Sequence, residues 1–127
     1  MTEVLRRVKA LSIVAPGGQL IATGRKTLEV RRWAPAVALG EDLLIIENHR
    51  FLHQPGEEDP DGRAVALVRV ARLRPFTPRD MKAACAGSFE PGWLAWELTE
   101  VRPLNLSQAF TAARGVYEVE FPESQIL

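Results

Sequence analysis

Apolar and polar positions alternate along most of this chain, and where the alternation breaks a glycine or proline stands nearby. From Arg6 to Val14, Val8, Ala10 and Ser12 alternate with Lys9, Leu11 and Ile13, which predicts a strand and leaves its inward face open. Pro16 cannot pair in a sheet but suits the first turn of a helix, so a short helix is predicted through Gln19, Leu20 and Ile21 to a stop at Gly24. Gly17 and Gly18 let that helix approach a neighbouring strand closely. After Gly24 a second strand begins, with Leu28, Val30 and Arg32 on one face and Thr27, Glu29, Arg31 and Trp33 on the other. The run Leu43-Leu44-Ile45-Ile46-Glu47-Asn48 is short and bounded by turn signals, as in a strand buried on both faces.

Residues 49–62 are polar and rich in Pro, Gly and acids, and predict a surface loop. Arg63 to Arg74 is apolar on both sides, so it belongs at the centre of a sheet. Thr77 is placed to cap a helix over Arg79 to Ala86, ended by Gly87. Trp93 to Val101 is a further strand, with Leu94, Trp96 and Leu98 on one face. Pro103 closes it, a loop follows, and Gly115 to Phe121 supplies the last strand. About six strands and two or more short helices predict an α+β, mainly β domain, folded as a small mixed β-barrel rather than a helical or doubly wound structure.

The length of 127 residues suits a single domain spanning 1–127. Apolar residues make up 46% and charged residues 25%, which excludes a disordered or fibrous chain. No run approaches the roughly 20 apolar residues of a membrane span, and Arg6, Arg7 and Lys9 interrupt the start, so a cytoplasmic protein without a membrane partner is expected. Cys85 is the lone cysteine and His49 and His53 the only histidines. No disulfide, zinc set, metal or other cofactor is expected from them, and Cys85 reads as a small, at least half-buried residue rather than a nucleophile. Oligomeric state is not legible in the sequence.

The formal net charge of +0 argues against a whole-surface basic field for long nucleic acid, yet allows a local basic cleft. The strand after Gly24 is where such a cleft would lie. Glu29 and Arg31 fall on one face two residues apart, so they can hold each other while offering an anchored guanidinium and carboxylate to a ligand. Lysines are scarce, at 9, 26 and 82, which draws notice to Lys26 beside this strand. The alternative for the same residues is a solvated edge strand with a weak surface ion pair. A binding module would use Lys26 and Arg31 for phosphate or base edges, Glu29 to accept from an amino group, and Trp96 or Trp93 to stack. At least one tryptophan should be structural, Trp96 first, because it lies between Leu94 and Leu98. A hydrolase would need an activated water and a tuned base, for which Lys26 and Glu29 offer an acid and base pair, but no serine-histidine-acid pattern accompanies them.

The order of motifs resembles the ASCH domain family, a branch of the PUA-like barrels. Its Gly-x-Lys-Thr-x-Glu-x-Arg signature is present as Gly24, Lys26, Thr27, Glu29 and Arg31. Supporting blocks are Leu11-Ser12-Ile13 with Pro16, Leu43-Leu44-Ile45, Gly62 to Val70, Gly92 to Leu98 followed by Arg102-Pro103-Leu104, and Gly115 to Val119. The resemblance implies a PUA-like barrel with a cleft lined by Lys26, Thr27, Glu29 and Arg31, and a role in binding RNA or a nucleobase-like ligand. Many relatives carry an aromatic residue after the first proline, where Gly17 stands here. Some small bacterial relatives are amidohydrolases that deacetylate a modified cytidine, N4-acetylcytidine, with a lysine and a threonine of the signature and a distant glutamate. Lys26 matches that lysine, while Glu29 occupies the threonine position and Thr27 lies two residues earlier.

Overall fold

A computed structural model describes residues 3–106 and 108–126. Seven strands form one sheet: β1 (Leu5–Val14), β2 (Leu28–Arg31), β3 (Asp42–Asn48), β4 (Asp59–Pro75), β5 (Leu94–Pro103), β6 (Ala109–Ala112) and β7 (Val116–Pro122). Their order is β2-β5-β4-β3-β1-β7, with β6 paired to β4 off this path. Pairing is antiparallel except for β1 with β3. That parallel pair needs a crossover, which the short helix α1 (Gly17–Ala22) and β2 provide.

The fold is mainly β with few helices, as expected. The closed barrel is not what the strand ladder forms, because β2 and β7 remain its two ends. The sheet nevertheless curls far enough for Arg31 at the end of β2 to donate to the Ser12 carbonyl of β1 at 3.2 Å. A side chain bridges where a closed barrel would have backbone pairing, and a cleft opens there.

The alternation of side chains divides the core. Leu11, Ile13, Leu43, Ile45, Val68, Val70 and Trp96 pack with Ile21 of α1 on one face. Val8, Ala10, Leu44, Ile46, Leu67, Phe110 and Phe121 pack on the other. The two central strands are thus apolar on both sides, and Leu43 to Ile46 are fully buried. Gly18 is buried against Glu47 and Val65, and a Cβ there would lie 2.9 Å from the Glu47 Cβ, so glycine is what lets α1 sit against β3 and β4.

Three elements differ from the expectation. The loop predicted between Pro103 and Gly115 contains β6, and β4 starts at Asp59, inside the predicted loop 49–62. These errors have one origin, because Asp59 and Gly62 pair with Ala112 and Phe110. A Cβ on Gly62 would meet the Phe110 carbonyl at 2.5 Å, so the glycine that reads as a turn signal permits close strand contact. The helix predicted over 79–86 is reduced to a 3₁₀ turn, Pro78–Asp80, followed by turns. Its carbonyls serve β2 instead: Ala83 accepts from the Thr27 and Leu28 N–H groups and Ala84 from Lys26 Nζ.

Candidate functional site

The β2 strand is short, and its antiparallel register with β5 sets opposite residues on a common face: Glu29 faces Trp96 and Arg31 faces Leu94. Glu29 and Arg31 therefore share one face, as the alternation predicts, and Trp33 joins them from the bend after β2. Lys26 precedes the strand and reaches the same place from the turn after Gly24, whose φ of 81° ends the helical path.

These side chains form a compact ionic cluster. The side chains of Lys26 and Glu29 are only 10% and 7% exposed, with Lys26 Nζ 3.2 Å from Glu29 Oε1. Lys26 Nζ also donates to the Ala84 carbonyl at 2.7 Å. Arg31 forks onto Glu29 Oε2 through Nε at 3.2 Å and Nη2 at 2.9 Å. The Val30 N–H donates to Glu29 Oε1 at 3.2 Å. Of the about four lone-pair sites a carboxylate offers, Glu29 uses three for hydrogen bonds from Val30 and the Arg31 fork, while Lys26 meets it as an ion pair. Glu29 therefore holds two cations in place, while Lys26 keeps one proton and Arg31 its Nη1 group for other acceptors. Burying charge is tolerable here only because each partner is satisfied.

The cluster lies in a cleft of about 970 Å³ lined by Lys26, Glu29, Arg31, Trp33, Asn48 and Arg114, among others. Trp33 is 38% exposed and forms a T-shaped pair with Trp96, with 5.3 Å between ring centroids. The Arg31 guanidinium sits 5.7 Å from the Trp33 ring. Asn48 donates to the Arg50 carbonyl at 2.6 Å, while its Oδ1 is buried without a hydrogen-bond partner among the described residues. Ser12 braces the opposite wall, exchanging a hydrogen bond with the Tyr117 hydroxyl at 2.7 Å and accepting from the Ala113 N–H at 3.1 Å. Burial pushes the Tyr117 hydroxyl above its ordinary pKa despite those bonds, so it stays protonated.

Three of the expected site residues, Lys26, Glu29 and Arg31, are thus brought together. Thr27 is exposed and outside the cleft, because the strand's turn leaves it beyond the Lys26–Glu29 contact, its backbone tied to Ala83 and Leu98. Trp96 cannot stack a ligand, since it is fully buried in the core. Trp33, three residues past Val30, lines the cleft in its place beside the Arg31 guanidinium, and the exposed Phe51 lines the cleft as well. Trp93 lies outside this cleft, and His49 does not line it. Cys85, expected at least half-buried, is exposed and lines the cleft. Arg114 was invisible to sequence reasoning, since only folding carries the 113–115 turn to β2. Among the described residues, no group of His, Cys, Asp and Glu could hold a metal, and no helix is long and apolar enough to cross a membrane.

A mainly β domain with a charged cleft beside its first helix is the class these observations define. The family model of the ASCH domain matches residues 11–108, and the chain belongs to that family. Crystal structures of the ASCH protein from Zymomonas mobilis are similar in fold. A tyrosine-to-phenylalanine variant gives a TM-score of 0.55 at 16% identity, over 95% of this chain and 94% of that one. A serine-to-alanine variant gives 0.54 at 16% identity, over 93% and 90%. The unaltered protein gives 0.53 at 15% identity, over 93% and 90%. No curated protein matches the chain.

Proposed function

We propose that the cleft binds a nucleobase with its sugar phosphate, as a nucleoside-like ligand or a short single-stranded RNA, and that the protein is a binding module. The observation that carries this reading is the convergence of Lys26 and Arg31 on Glu29 beside the Trp33 ring in one concave site. An aromatic ring beside fixed cationic donors suits an unstacked base and its phosphate. Lys26 and the free Nη1 of Arg31 are the donors, and Trp33 is the platform. Glu29 positions both cations rather than reading the ligand. Arg114, exposed at the rim and without an ion pair among the described residues, adds charge for a phosphate.

The same engagement of Glu29 weighs against an amidohydrolase. A general base must take a proton from water, whereas Glu29 is held as the anion by two cations, with both oxygens already accepting hydrogen bonds. Titration of the purified protein with nucleosides, mononucleotides and short single-stranded RNA tests the proposal. Binding should appear with a shallow salt dependence, and Lys26→Ala should weaken it about tenfold or more through loss of a charged hydrogen bond. Absence of binding at any salt would refute the module. Deacetylation of N4-acetylcytidine, lost in Lys26→Ala, would replace it with the enzyme.

A further inference from the structure

A second set of cation and ring stands just past the end of β2. Arg31 lines the cleft, whereas Arg32, in the bend that follows β2, does not. The β2–β5 register ends with Arg31 opposite Leu94, and Arg32 and Trp93 are the next residues beyond that pair. The Arg32 guanidinium lies 5.9 Å from the Trp93 ring, and that ring stacks on Phe76 with centroids 6.4 Å apart and planes at 25°. Arg32 is exposed and, among the described residues, makes neither an ion pair nor a hydrogen bond. Its charge is uncommitted, unlike that of Arg31.

Arg32 and Trp93 belong to a groove of about 300 Å³ whose other walls are Val30, Arg31 and Trp33. Those three residues also line the cleft, so groove and cleft meet across the end of β2. Two ring and guanidinium pairs then stand side by side, Trp33 with Arg31 and Trp93 with Arg32. We infer that the Arg32–Trp93 groove is a second nucleotide subsite, and that the ligand is a single-stranded oligonucleotide of at least two residues rather than a free nucleoside. This deepens the proposed function and rests on it. One base stacks at Trp33. The neighbouring base occupies the outer face of Trp93 as Arg32 turns to the phosphate between them, a use that suits a flexible, unpaired guanidinium. The charge complementarity is to a polyanion, since among the described residues no acidic side chain lines the groove.

The experiment compares uridine and adenosine 5′-monophosphates with the corresponding tetranucleotides, titrated against the full chain. The tetranucleotides should bind at least about tenfold more tightly than the mononucleotides, as expected for one added stacked base. Arg32→Ala and Trp93→Leu should each reduce that ratio by roughly tenfold. Arg32 is exposed, so its variant keeps the test valid if loss of Trp93 disturbs the packing on Phe76. Equal affinity for monomer and tetramer, or a length effect indifferent to both substitutions, would overturn the second subsite while leaving the cleft reading intact. Failure of both ligands to bind would overturn the two together.

Discussion

Two arginine–carboxylate clusters flank β5, and they are built for different ends. In the cleft, Glu29 serves two cations, Lys26 and Arg31, within a concave surface. On the far side, Arg74 forks onto both oxygens of Asp80 and bonds Glu97, which Arg72 also holds, so two cations meet two carboxylates. Asp80 in turn accepts from the Thr77 N–H and hydroxyl, which fixes the 3₁₀ turn against the strands. That cluster is balanced and lines neither the cleft nor the groove. A two-to-one ratio alone does not mark a site either. Asp42 holds Arg69 and Arg102 on a more exposed surface, away from both concavities. What distinguishes the Glu29 cluster is surplus positive charge, burial and an adjoining ring, all in one hollow.

The largest effect should come from removing the centre of the buried cluster. Glu29→Ala leaves Lys26 and Arg31 without their anion, and breaking a buried pair costs about 3–5 kcal/mol. Urea denaturation should show that loss, with part of it recovered in the Glu29→Ala/Lys26→Met double variant, where no buried ammonium remains. A loss under about 1 kcal/mol would mean that the cluster is solvated like a surface pair.

Removing Arg74 should cost less, about 1–2 kcal/mol, because its charged hydrogen bonds lie nearer to solvent. The cluster also gives a pH signature. The Arg74 guanidinium, with the Thr77 N–H, holds Asp80 well below its ordinary value of 3.8. A carboxylate with a depressed folded pKa contributes stability that is complete above the unfolded value and is lost as pH falls through the folded one. The stability gap between the parent and Asp80→Asn should therefore be full at pH 6 and should shrink below about pH 4. Urea midpoints at pH 6 and pH 3 check this, and an unchanged gap would show that Asp80 acts through shape alone.

These differences bear on what the sequence discloses. The faces of β2 follow from local alternation, so Glu29 and Arg31 can be set together from residues 27–33 alone. The choice between surface pair and buried cluster cannot, because it depends on Ala84 and Ser12, 58 and 19 positions from their partners Lys26 and Arg31. Trp96 follows the same logic: alternation sets it beside Leu94 and Leu98, but burial is decided by Trp33 and the strands around it. The 79–86 segment shows the opposite failure. Its alanines favour a helix, yet between Pro78 and Gly87 it is shorter than the roughly 12 residues that an isolated helix needs, and tertiary bonds from residues 26–28 take its carbonyls.

Trp33→Ala sharpens the contrast between holding the fold and serving the cleft. Trp33 meets the core through its T-shaped pair with Trp96 and is partly exposed, so stability should fall by about 1–2 kcal/mol. Binding of mononucleotide in the cleft should fall by about tenfold, the lower range for loss of a stacked base. Tryptophan fluorescence during titration offers a direct reading, since Trp33 is the exposed indole of the cleft. Equal affinities of parent and variant would remove Trp33 as the platform.

The smallest effect on the fold, and the cleanest on function, belongs to Arg114. It is exposed, lies between Ala113 and Gly115 at the cleft rim, and makes no ion pair among the described residues. Arg114→Ala should therefore change stability by less than about 0.5 kcal/mol. If the side chain meets a phosphate, the change should lower affinity for short RNA whatever its sequence and reduce the steepness of log K against log salt by about 0.7, the share of one phosphate on a single strand. Glu29→Ala would weaken binding as well, but through cations that lose their anchor, with an accompanying loss of stability. The two variants thus separate a residue that contacts the ligand from one that arranges the contacts. An unchanged salt slope in Arg114→Ala would confine phosphate recognition to Lys26 and the arginines of β2 and its extension.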